Sequence, residues 1–399
     1  MTSDPSRARR QIALLVTAQA LLYVNNVALI AVNGLAGLAL APSPLWATLP
    51  VSSYIVGSAL TTFPASLAMG RFGRRAGFLT GSGLGVVGTS LCAVAMLAGS
   101  FALLCAGSFV IGFYNAFAQY LRFAAVDVAD AYDRSLKERA VSWVLAGGIA
   151  GGIIGPELSK VTRELLAATY AGTFAAMALA TALAFACVSQ LSIPNSSHHA
   201  AGPARRLGQI TAQPGYIVAV LVAAVSFGAM SLLMTATPLA MKVCGFGYPE
   251  AADVIKWHVV AMFAPGFFTG ALIRRLGIHA VMLTGCLLMF GTIGVAHDGI
   301  TYAHFWIALV LLGLGWNFMF TGATVMLTTT YAPAEKAKAQ GINDLAVFLV
   351  MTTSSAASGA LLSVSGWTDL NLYAAPALAL AAAAITWLWL RPARPLAQA

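Results

Sequence analysis

A few charged side chains stand inside stretches that are otherwise apolar, and such groups are where chemistry is first sought. Glu157 follows Gly155-Pro156 in one apolar run, while Asp253, Lys256 and His258 share another. A carboxyl stranded in low dielectric has its pKa raised, because desolvation penalises the charged form; one that titrates near neutrality can exchange protons. An imidazole changes charge near physiological pH without any help. Glu157, Asp253 and His258 are therefore the candidate proton-coupling residues. The competing arrangement is ionic and local, with Glu157 paired to Lys160 three residues on, Asp253 paired to Lys256, and His258 a satisfied core residue.

Amides and hydroxyls form a second group. Ser108, Gly112, Asn115, Gln119 and Arg122 recur at helical spacing, and Asn317, Thr321, Thr324 and Thr328 do the same further along. Residues so spaced share one helix face. In hydrocarbon a polar face must look at protein or water. With Asn26, Asn33, Tyr54, Tyr114, Met230, His258 and Trp316, these residues outline an expected substrate cavity made of Asn115, Gln119, Arg122, Asn317 and Thr321 and largely apolar surroundings. Ordinary helix packing is the alternative for about half of them. Such a lining suits an amphipathic or aromatic small molecule better than a free sugar.

Other chemistries are absent. The five cysteines have no metal-site spacing and read as small buried hydrophobes, so neither a metal site nor a disulfide framework is expected. His198-His199 lies in a Pro, Ser and Gly rich stretch and reads as loop. No nucleophile elbow or nucleotide loop occurs, and no cofactor is expected.

The elements that must position these residues follow from composition. The chain has 399 residues, 59% hydrophobic and 9% charged. Soluble domains carry about 25% charged residues, and a water-soluble fold cannot hide so much apolar surface. The expected class is an all-α membrane protein with twelve transmembrane helices in two pseudo-symmetric six-helix bundles. Spans are placed near 11–39, 46–69, 76–98, 101–126, 140–158, 166–190, 214–240, 250–273, 279–297, 301–328, 341–364 and 370–390. The expected domains are 1–191 and 214–399, joined by a solvated linker over 192–213. Arg7, Arg9 and Arg10 before an apolar run imitate a signal peptide, but the run continues to Leu40, and an uncleaved first helix is expected.

The formal charge of +9 is not a nucleic-acid patch, which would form one contiguous face. Of 22 Lys and Arg, all but Lys160, Arg163, Lys242 and Lys256 fall at the termini and at every second junction. That asymmetry places both termini and the central loop in the cytoplasm, in an inner-membrane protein.

The chain also repeats itself. Arg71-Phe72-Gly73 follows Ser66 by five, and Arg275-Leu276-Gly277 follows Gly270 by five, an offset of 204; Asn115 and Asn317 are offset by 202. Two six-helix halves around a midplane site are a transporter arrangement. The chain resembles the major facilitator superfamily over nearly its whole length. Arg71, Gly73, Arg74 and Arg75 match the family's loop 2–3 motif, with Ser66 in place of its Gly and Gly70 in place of its Asp. Gly151, Gly155 and Pro156 match its helix 5 motif, while Ser108 stands where its helix 4 arginine would fall.

The resemblance implies alternating access without enzymatic activity. It implies a cytoplasmic gate built from Arg71, Gly73, Arg74, Arg75, Asp127, Arg274, Arg275 and Asp344, and a hinge in helix 5 at Gly151, Gly155 and Pro156. The expected function is proton-coupled secondary transport of a small organic compound, with efflux favoured by the helix 5 match. The alternatives are a proton-coupled importer of a vitamin, siderophore or similar metabolite and, more remotely, a membrane enzyme or non-transporting receptor. The expected partners are the substrate, protons and the lipid bilayer, with no nucleic acid, in a monomer.

Overall fold

The computed structural model describes residues 5–132, 137–193, 205–332 and 335–391, and these contain helices and no strand. A helix satisfies its backbone polar groups within one segment, which is what a lipid environment requires. The passes are α1 (Pro5–Leu40), α2 (Leu49–Phe72), α3 (Arg74–Ala98), α4 (Phe101–Ala118) continued by α5 (Leu121–Tyr132), α6 (Lys137–Thr162) and α7 (Ala171–Ser189). After the short α8 (Leu207–Thr211) come α9 (Pro214–Val243), α10 (Tyr248–Phe263) continued by α11 (Gly266–Leu276), α12 (Ile278–Asp298), α13 (Tyr302–Thr328), α14 (Lys336–Leu372) and α15 (Ala375–Leu390). With the two broken passes counted once each, these make the twelve that the sequence implies.

Breaks have local causes. The α10–α11 pass bends by 44° at Ala264-Pro265, where proline lacks the N–H that would continue the ladder. Inside α14, Gly366 sits at φ 75, and the chain leaves the membrane-length helix there before entering α15.

Packing repeats with the sequence. Helix α1 packs on α6 and α7, α2 on α4, and α3 on α4 and α7; in the second set α9 packs on α14 and α15, α10 on α13, and α12 on α13 and α15. Each pair in the first set has its counterpart in the second. The repeat extends to backbone torsions: Gly73 adopts φ 90, ψ 158 and Gly277, 204 residues later, φ 88, ψ 156. Only glycine takes that conformation without strain. The contacts that join the two sets are themselves paired, α6 with α10 and α2 with α14.

Candidate substrate site and gates

The amide stripe forms a network between helices. Asn26 on α1 donates through Nδ2 to Asn115 Oδ1 on α4 at 2.9 Å, and Asn115 Nδ2 donates to Ser58 Oγ on α2 at 2.7 Å. Gln119 reaches the same Asn115 oxygen at 3.4 Å. Asn33 and Ser108 bond reciprocally between α1 and α4, at 3.0 and 3.3 Å. Asn317 on α13 accepts from Thr269 Oγ1 on α11 at 2.7 Å and donates to the Met262 carbonyl on α10 at 2.7 Å. Asn115 and Asn317 thus do the same work in each half, tying the fourth pass to the second. Both are buried, and hydrogen bonds of this kind hold helices together where water offers no competing partner.

Aromatic rings gather where α1 meets the second set of helices. Tyr23 on α1 meets Phe263 on α10 edge-to-face with centroids 5.0 Å apart. Phe263 leads to Trp316 on α13 at 6.3 Å, and Trp316 stacks on Phe320 one turn away at 5.1 Å with an 18° interplanar angle. Phe227 on α9 stands edge-on to both, at 5.1 and 4.8 Å. Trp316 is buried, while Tyr23, Phe227, Phe263 and Phe320 are each half-buried. Of these rings the cavity expectation named Trp316 alone. Tyr23 shares a face of α1 with Asn26; Phe227, Phe263 and Phe320 carry no sequence signal beyond being apolar.

The remaining cavity candidates lie around this layer. Tyr54 is buried in an apolar cluster that also holds Leu239 and borders Phe348 and Met351. Tyr114 turns into its own half, against Gly85 of α3. Met230 is buried among the passes of the second set, and Thr321 is half-buried next to Phe320. The side chain of Arg122 lies outside the described residues. His258 is fully buried between α10 and α13; its Nδ1 is 2.8 Å from the Leu309 carbonyl, so that nitrogen carries the proton and Nε2 presents a lone pair with no partner.

The end opposite the arginine-rich loops is closed by contacts between the halves. Glu157 on α6 accepts from Lys160 at 3.0 Å and from Lys256 on α10 at 2.8 Å. Asp253 pairs with Lys160 at 3.5 Å and with Lys256, and accepts from Tyr302 at 2.8 Å. Four charges, two from each half, therefore form one ring of ion pairs. Around it Tyr248 donates to Ser159, Ser52 meets Ser355 at 3.3 Å, and Thr48 reaches the Ala356 carbonyl at 3.5 Å. Of the two arrangements weighed for Glu157 and Asp253, the ionic one is present, extended across the halves. Periodicity within a single helix carries no sign of a partner 99 residues away, and that is why the cross pairs escaped the sequence reading.

At the arginine-rich end the contacts of the described arginines lie within one half. Arg74 Nε pairs with Asp127 at 3.1 Å and its guanidinium lies over Tyr120; Arg75 donates to the Ser189 carbonyl at 2.6 Å. Arg71 stands over its neighbour Phe72, and among the described residues Arg274 and Arg275 make no ion pair. Asp344 accepts from the adjacent Asn343 at 3.1 Å. Gly73 forms the turn. Among the described residues, none of Arg71, Arg74, Arg75, Arg274 and Arg275 pairs with a carboxylate of the other half. A pairing missed from sequence binds the inter-half connection: Arg205 holds Glu335, just before α14, through Nε at 2.8 Å and Nη2 at 2.7 Å, and also donates to the Thr330 carbonyl.

The helix 5 glycines are a packing face. A β-carbon on Gly147, Gly151 or Gly155 of α6 would come within 2.7, 2.3 and 2.7 Å of the carbonyl oxygens of Val16, Ala20 and Val24 on α1. The four-residue spacing on both helices makes a flush rail. Helix α6 runs unbroken through Gly155 and Pro156.

Comparison with known proteins agrees with this architecture. The family model "Major Facilitator Superfamily" matches residues 15–296 and again 258–399. The chain is 39% identical over 385 residues to the riboflavin transporter RfnT of Brucella anthropi, covering 95% of each chain. It is 34% identical over 160 residues to YdeG of Bacillus subtilis, an uncharacterized MFS-type transporter, covering 40% of this chain and 37% of that one. Among solved structures, the nucleoside transporter NupG superposes with a TM-score of 0.70 at 13% identity over 96% of this chain and 100% of the other; a D-xylose-proton symporter gives 0.74 at 16% over 95% and 97%. At such identities the structures establish the fold. The twelve passes, the paired packing and the full-length match together make this chain a multi-pass membrane transporter of small molecules, not an enzyme, and a member of the major facilitator superfamily.

Proposed function

We propose that this protein imports a flavin-class vitamin, riboflavin or a close relative, across the inner membrane by alternating access coupled to protons. The observation that carries the reading is the aromatic layer at the junction of the halves, whose half-buried rings suit a flat heteroaromatic solute. A relative named as a riboflavin transporter and matched over 95% of both chains supports the same substrate class. Export was favoured from the helix 5 glycines; here they serve as a rail against α1, which any direction of transport can use.

In this reading residues 1–191 and 214–399 rock about the central layer, with 192–213 on the cytoplasmic side together with both termini. The Glu157–Lys160–Asp253–Lys256 ring closes the outer end while the inner end is free to open, an inward-facing state. The two carboxylates are held by lysines, which favours His258, with its unpaired Nε2, as the proton-handling group.

The test is uptake. In a riboflavin auxotroph lacking its own uptake system, expression restores growth at limiting riboflavin and raises accumulation of labelled riboflavin, and an uncoupler lowers both. Reduced accumulation in expressing cells, raised by the uncoupler, would instead establish export.

A further inference from the structure

Three buried polar atoms lie on residues of the aromatic layer or its immediate helix face and have no hydrogen-bond partner: the side-chain carbonyl oxygens of Gln19 and Asn26 and the indole Nε1 of Trp316. These residues are 6%, 8% and 7% exposed, so bulk solvent does not reach them in this conformation. Gln19, Tyr23 and Asn26 occupy one face of α1 at spacings of four and three, and Tyr23 is the ring through which α1 touches Phe263 and hence Trp316.

The orientation of Asn26 is dictated by its neighbours. Asn115 gives its amide N–H to Ser58, which leaves its oxygen toward Asn26, and Asn26 must answer with its own amide N–H. The Asn26 carbonyl is then the group left over. Native folds seldom bury polar atoms without partners, and a transporter's substrate site is a place where the missing partner arrives later.

We propose that Trp316 Nε1, Asn26 Oδ1 and Gln19 Oε1 are the polar contacts of the substrate site. The substrate lies with its ring face against the Trp316–Phe320 side of the layer. The indole N–H donates to a ring carbonyl or ring nitrogen, and the two amide oxygens accept from a ring N–H and from hydroxyls. This rests on the flavin reading: the dione edge of a flavin offers a carbonyl beside an imide N–H, and its sugar-alcohol chain offers the hydroxyls. It also predicts selectivity, because blocking the imide nitrogen removes a donor that α1 accepts.

The test is equilibrium binding to the purified full-length protein in nanodiscs, using riboflavin and riboflavin methylated at the imide nitrogen. On wild type, the methylated compound binds on the order of tenfold more weakly, the loss of one hydrogen bond with a buried acceptor left unpaired. Trp316→Phe, which keeps a ring for stacking, weakens riboflavin by a similar factor. Equal binding of both compounds to wild type, with riboflavin affinity unchanged in Trp316→Phe, overturns the inference while leaving flavin transport standing. Absence of riboflavin binding by wild type overturns both. The methylated compound needs no substitution, so the inference stays open to refutation even if the variant does not fold.

Discussion

Neutralising Glu157 should bias the protein toward opening at its outer end. Glu157→Gln removes two ion pairs at once, to Lys256 at 2.8 Å in the other half and to Lys160 at 3.0 Å in its own. At 3 Å and an effective dielectric of 20 the bare attraction is about 6 kcal/mol. The side chains keep 47% exposure for Glu157, 20% for Lys160 and 16% for Lys256, so solvent screening takes most of it; exposed pairs measure about 0.2–1 kcal/mol. Lys256 retains Asp253 as a partner. The net loss from the closed state is therefore about 1 kcal/mol, a roughly fivefold shift in the ratio of closed to open molecules. Ser52 reports it, being buried against Ser355 at 3.3 Å when the halves meet. In a background stripped of its five native cysteines, Ser52→Cys should react with an impermeant maleimide about fivefold faster when Glu157→Gln is added. The gain should shrink in about 1 M salt, where the Debye length is about 3 Å. An unchanged or slower rate would refute the outer gate.

Three further outcomes follow. Cysteines at 52 and 355 should form a disulfide on mild oxidation, since the two hydroxyls they replace are 3.3 Å apart; the oxidised protein should lose transport and regain it on reduction. Gly151→Val should abolish function, because even a β-carbon would stand 2.3 Å from the Ala20 oxygen; unfolding in detergent should show a loss of several kcal/mol, since the α1–α6 backbones cannot separate without breaking their packing. Arg205, with help from the Ala332 N–H, holds the Glu335 carboxyl well below its ordinary value of 4.5, at about 2. The clasp is therefore fully present above about pH 4.5, weakens as pH falls toward 2, and is insensitive across pH 6–8; Glu335→Gln should speed trypsin cleavage after Arg205 at neutral pH, with the ratio of variant to wild-type rates constant over pH 6–8.

Much of this was legible in one dimension, for definable reasons. Helical passes follow from runs of apolar residues, and the twofold repeat follows from Arg-x-Gly, whose glycines adopt the same left-handed geometry at 73 and 277. That Asn115 and Asn317 face protein was readable from spacing; that they bind other helices was not, because a polar face in lipid serves a cavity and a helix contact alike. The placement of the closed end was hidden. Arg71, Arg74 and Arg75 advertise a gate by resembling a motif, yet the cross-half pairs among the described residues use Lys160 and Lys256, ordinary local partners in sequence. The aromatic layer draws one or two rings from each of four passes, so no single helix announces it. The span placed at 250–273 is broken at Pro265, and the consequence, Thr269 bonded to Asn317, depends on a third helix.

The most direct test of flavin import is flux into proteoliposomes holding the purified protein with an imposed inward proton gradient. The account predicts saturable accumulation of riboflavin above its external concentration, abolished by collapsing the gradient and reduced in Trp316→Phe. No protein-dependent riboflavin flux, or flux indifferent to the gradient, would contradict it.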